Sequence, residues 1–187
     1  MSRPITALAL ILLAVSTPAF AEPAALRLPS DGAVVALGWG EVSAGYWAAP
    51  HLGFGVDASM PGNVGLAIGT RGRTGQQFGL DFGVAGGPTL SFTGPQVGLA
   101  VSPWVDFAVR GKGVFNIGVA LPGTVTLYPL GAVWSAPLLL EAAAGWTFGT
   151  VRIGGWGNAG ITVLNKTITL TPRGGVWLGV GKANRER

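Results

Sequence analysis

Seven charged residues carry the most informative pattern in the chain. Asp57, Arg71, Asp81, Asp106, Arg110, Glu141 and Arg152 each fall on the opposite parity from a local row of Val, Leu, Ile or Phe. In the stretch FGLDFGVAGG, Asp81 opposes Phe78, Leu80, Phe82 and Val84. In QVGLAVSPWVDFAVRGKGVFNIGVALPG, Asp106 and Arg110 oppose Val97, Leu99, Val101, Val105, Phe107 and Val109. Successive side chains of a strand point to opposite faces, so each strand has one apolar face and one charged face. Chance would place seven charges this way about once in 2⁷ trials. Two chemistries fit them. They could lace a polar interior with ion pairs, since buried charges need partners. They could instead line a charge-selective passage, which works best with a ring of one sign. Four acids against three bases favour the ion-pair reading.

Catalytic templates are not met. His51 is the only histidine. Asp57 shares its parity, but six residues of extended strand separate the two by about 20 Å. No nucleophile motif accompanies it, and one histidine is not a metal site. The chain has no Cys, so neither disulfides nor thiolate sites can form. Gly155-Trp156-Gly157-Asn158-Ala159-Gly160 has G-x-G-x-x-G spacing but no strand–turn–helix setting, and reads as coincidence. Asn165-Lys166-Thr167 is a sequon, irrelevant if the source is bacterial. The expectation is no enzyme, no metal and no cofactor.

These side chains need strands to position them, and the period-two pattern recurs along the chain. Strand-sized segments return about every 11 to 16 residues, with mostly short connections. They predict eight to twelve strands, with ten favoured. Gly111-Lys112-Gly113 suits a hairpin turn, as does Met60-Pro61-Gly62-Asn63. Leu121-Pro122-Gly123, Gly86-Gly87-Pro88 and Thr171 to Gly175 also read as turns, and Arg71 to Gly75 as a loop. Leu138 to Phe148 reads as a strand, with a short helix as the alternative. Thr124 to Trp134 is interrupted by Pro129 and Gly131. Glu41 shares the parity of Val35, Leu37 and Trp39, which implies either a bulge near Gly38-Gly40 or two short strands. Glu22 to Ser30 reads as a short exposed lead-in.

Small residues share the charged face: Gly53, Gly55, Gly65, Gly69, Gly79, Gly83, Gly98, Gly118 and Gly145. A tightly curved wall around a narrow interior accounts for them. An open cavity or slim channel is the alternative. Trp104 and Trp156 take the inward parity. Trp39, Tyr46, Trp47, Tyr128, Trp134, Trp146 and Trp177 fall near strand ends, where an aromatic belt would meet a membrane interface.

Composition narrows the class. Only 11% of residues are charged and 32 are glycine, against roughly 25% charged in soluble domains. Yet no apolar run of about 18 residues follows the N-terminal segment. Residues 1–21 read as a secretory signal peptide: Arg3, the apolar core LALILLAV, Pro18 and an Ala19-Phe20-Ala21 cleavage site. Residues 22–187 form the domain. A hydrophobic exported chain without a spanning helix can cross lipid only as a closed barrel. The formal net charge of +4 is scattered, without the Lys/Arg cluster a nucleic-acid surface needs.

The signal peptide, the Gly-rich alternating strands and the hairpin at Gln96 to Gly123 resemble small bacterial outer-membrane β-barrel proteins. That resemblance implies an all-β, antiparallel, up-and-down transmembrane barrel in the outer membrane of a Gram-negative bacterium. It implies a monomer whose partners are the lipid bilayer and the outer-membrane assembly machinery. The expected role is structural, or porin-like passage of a small solute through a charge-lined lumen. One departure is that the last strand, VWLGVG, is followed by Lys182 to Arg187 instead of ending on an aromatic residue. The alternative is a soluble exported barrel or sandwich, with the Val/Leu/Phe rows turned inward around a hydrophobic ligand.

Overall fold

The structure is a computed structural model that describes residues 24–60, 62–93, 96–128, 134–135, 137–164 and 167–181. The expected signal peptide, the tail from Lys182 and the turn at Asn165-Lys166 lie outside the described residues, as do Pro129 and Gly131.

A short helix, α1 (Ala24–Arg27), precedes twelve strand segments. These are β1 (Ala33–Gly38), β2 (Glu41–Ala49), β3 (Leu52–Ser59), β4 (Asn63–Arg73), β5 (Phe78–Ser91) and β6 (Gln96–Val109). They continue as β7 (Gly113–Ala120), β8 (Gly123–Tyr128), β9 (Trp134–Ser135), β10 (Leu138–Phe148), β11 (Val151–Leu164) and β12 (Thr167–Val180). The twelve segments make ten staves. β7 and β8 pair with β6 in one register, Trp104 facing Ala120 and Val101 facing Gly123. β9 and β10 likewise continue each other along β8 and β7. Every pairing is antiparallel. β1 closes the ring on β12, with Ala33 opposite Val180. The result is a closed ten-stranded up-and-down barrel, the strand number favoured by the sequence pattern.

Several expected turns are strand instead. Leu121-Pro122-Gly123 interrupts the ladder because Pro122 has no N–H, but the chain keeps its course, and the Leu121 amide donates to Pro103 O at 2.9 Å. β5 runs straight through Gly86-Gly87-Pro88, and β12 runs through Pro172 to Gly175. β4 extends to Arg73, so the loop begins at Thr74. Leu138 to Phe148 is strand, not helix. At Trp39-Gly40 a two-residue turn separates β1 from β2, with Gly40 at φ 76°. Two short strands therefore account for Glu41, whose parity is inward in β2.

The orientation of the faces decides between the two readings of the alternation. Val97, Leu99 and Phe107 are 41%, 47% and 46% exposed, while Asp106 is 1% exposed. The apolar rows face out and the charged rows face in. This overturns the barrel or sandwich with Val/Leu/Phe lining a hydrophobic ligand cavity.

The N-terminal segment brings a second correction. Described residues 25–30 are not an exposed lead-in: all are buried inside the barrel. The segment descends the lumen from the level of Ser43 to the barrel end that holds the start of β1 and the finish of β12. That end is the terminal end of the barrel.

Candidate functional site

The lumen is built around this internal segment. An irregular backbone enclosed by strands cannot reach the wall's ladder, so its polar groups need side-chain partners. The wall supplies them. Ser43 Oγ accepts from the Ala25 amide at 3.1 Å, and Asn116 Nδ2 donates to Arg27 O at 3.0 Å. Arg152 Nη1 donates to Pro29 O at 2.9 Å, and Arg71 Nη1 donates to Ser30 O at 3.0 Å. The inward polar residues thus clamp a plug.

Apolar packing holds the same segment from two sides. Leu26 lies in a buried cluster with Trp47, Trp104, Ala67, Ala85 and Ala120. Ala25 and Leu28 lie in another with Trp156, Trp177, Val34 and Val114. All four of these tryptophans sit opposite a glycine across the ladder: Trp47 and Gly53, Trp104 and Gly83, Trp177 and Gly154, Trp156 and Gly175. A side chain on Gly53 would come within 2.8 Å of the Trp47 ring. At Gly53, Gly83 and Gly154 the missing side chain leaves the room that the facing indole occupies, whereas the Trp156 ring lies over Gly38.

Trp47 and Trp177 therefore are not membrane-interface aromatics; they are 4% and 1% exposed inside the barrel. Trp47 follows Tyr46 in a regular strand, so only one of the two can face out. Trp177 alternates with outward Val176 and Leu178. Tyr46 and Trp146 do face out, at 53% and 54% exposure. With Phe78, Phe115 and Phe148 they ring the outside near the terminal end. Trp39 stands fully exposed in a turn at the opposite end. The side chains of Tyr128 and Trp134 lie outside the described residues.

All seven charged residues of the sequence pattern face inward, in two groups. Near the middle, Arg27 Nε meets Glu141 at 3.0 Å, and Asp106 accepts from Asn116 Nδ2 at 3.3 Å beside the same guanidinium. Asp57 is buried in β3. At the terminal end, Asp31 gathers Arg71 at 3.1 Å, Arg152 at 3.5 Å and Arg73 in a direct ion pair. Asp81 pairs with Arg110 and, at 3.4 Å, with Arg73. Arg71 also stacks 3.8 Å from the centroid of the Trp47 ring. Burial pushes the Asp31 carboxyl up, but Arg73 beside it, with Arg71 and Arg152, outweighs this and holds it below the ordinary carboxylate range. Beneath this group opens a mouth of about 800 Å³, lined among others by Gln76, Gln77, Lys112 and Thr147.

Sequence reasoning missed Arg27, Asp31 and Arg73. Asp106 faces Arg27 of the plug, not Arg71, Arg110 or Arg152 of the wall. The one signal for the plug was the apolar content of AALRL ahead of the first strand. Glu41 finds Arg173 at 3.1 Å toward the other end. Every described charged side chain thus lies in the lumen or at its mouths, with Lys112 at the rim. No family model matches the chain, and neither does any curated protein or solved structure.

Proposed function

We propose that this protein is an outer-membrane β-barrel with a structural, non-catalytic role, closed to free solute passage by its own N-terminal segment. The observation that carries the reading is the outer surface. Large apolar side chains cover it on every stave from Val35 and Leu37 round to Leu178 and Val180, without a described charge among them. Monomeric soluble proteins rarely expose a contiguous apolar patch beyond a few hundred Å². In lipid the same surface is matched, and a closed ladder leaves no backbone group unpaired. The outward aromatics near the terminal end suit an interface belt.

The filling of the lumen supports a structural role over passage. Leu26, Leu28, four tryptophans and the Arg27 cluster occupy its middle. A conducting lumen needs continuous water and sites an ion can leave. Membrane fractionation of the expressing cell tests the location. Recovery in the outer-membrane fraction, with a heat-modifiable gel shift, is the expected result; recovery in the soluble periplasmic fraction contradicts it.

A further inference from the structure

The mouth at the terminal end carries more positive charge than its own side chains neutralise. Arg73, Arg110, Arg152 and Lys112 line it, with Asp31 and Asp81 as the only carboxylates of the lining, while Arg71 backs Asp31 from the wall. Other contacts use neutral oxygens: Arg110 Nη1 donates to Gly75 O at 3.2 Å, and Arg152 and Arg71 donate to Pro29 O and Ser30 O. A carbonyl satisfies an N–H but cancels no charge. The lining alone therefore leaves two positive charges over in a concave site, where low-dielectric walls concentrate the field.

We propose that this mouth binds a small phosphate-bearing anion. The surplus exceeds one charge, which favours a dianion over chloride or a monocarboxylate. Guanidinium forks match phosphate oxygens in geometry as well as in sign. The cavity of about 800 Å³ has room for a diphosphate or a phosphorylated small molecule. Gln76, Gln77 and Thr147 line it and offer neutral hydrogen bonds for specificity. Lys112, exposed in its turn, is the first cation an incoming anion meets. The inference does not depend on where the barrel resides, because the mouth belongs to the folded chain.

Titration calorimetry of the full barrel in a maltoside detergent tests it, with pyrophosphate and inorganic phosphate as probes at constant ionic strength. Saturable one-site binding is expected, tighter for pyrophosphate. Lys112→Gln should weaken it about tenfold, the scale of one charge-assisted hydrogen bond. Lys112 is exposed in a turn, so this variant keeps the fold. Arg110→Gln should weaken binding at least as much. Absence of saturable binding by either probe would overturn the proposal, as would affinities unchanged in both variants. Phosphatidylglycerol doped into the micelles separates the sources: competition with pyrophosphate assigns the site to a lipid headgroup, and binding without competition assigns it to a free anion.

Discussion

Asp81 and Asp106 stand directly opposite each other across the β5–β6 ladder, both turned into the lumen, and each is held by different arginines. Asp81 turns to Arg110 and Arg73 of the wall, whereas Asp106 faces Arg27 of the plug. Like charges opposite one another in a sheet are destabilising. The plug's guanidinium offsets that repulsion, so the wall and its contents are electrostatically interdependent.

Arg27→Gln should therefore be among the most damaging single changes. It leaves Asp106 and Glu141 in the lumen without their guanidinium. Removing one member of a buried charge cluster typically costs about 3–5 kcal/mol. Asp106→Asn should cost far less, because Arg27 keeps Glu141 and one of two like charges disappears. Urea unfolding of the detergent-folded protein measures both. Equal losses would argue against the shared arginine.

The tryptophan–glycine pairs make a steric prediction. A methyl group on Gly83 would collide with the Thr70 backbone oxygen and with the Trp104 ring, and overpacking of this kind costs about 1–3 kcal/mol. Gly155 is the control: it faces outward, and a methyl there would find nothing closer than Gly175 O at 3.6 Å. Gly83→Ala should lower the unfolding midpoint and Gly155→Ala should not. Trp104→Phe combined with Gly83→Ala should recover only the ring's share of the loss, since the Thr70 oxygen stays in place.

Much of this architecture is legible in the sequence because a barrel wall is two-faced. Asp57, Arg71, Asp81, Asp106, Arg110, Glu141 and Arg152 all declare their side by parity alone. The errors have physical causes. Gly86-Gly87-Pro88 and Pro172 to Gly175 look like turns, but a curved wall accepts glycine and proline within strands. Trp47 and Trp177 lie near strand ends as belt residues do, but parity turns both inward. The plug leaves almost no trace: its few residues have no period, and only the tertiary fold reveals that Arg27 is enclosed and that Asp31 gathers the mouth's arginines.

Asp31 gives the fold a dependence on pH. Its carboxyl is held below the ordinary range, so the unfolded chain binds its proton more readily than the folded one. The stability it contributes is present above the unfolded value, about 3.9, and is lost as pH falls through the lower folded value. Wild type should exceed Asp31→Asn in unfolding midpoint at neutral pH, and the two should converge in strong acid. A gap that widened on acidification would contradict the assignment.

Residues 25–30 close the proposed membrane barrel from within. The most direct test is conductance across a planar bilayer after insertion has been verified by the heat-dependent gel shift. The inserted wild-type protein should carry no sustained current at moderate voltage, while Leu26→Ala with Arg27→Gln, which loosens the plug, should give intermittent openings. A steady ohmic conductance from the wild-type protein would contradict the closed lumen.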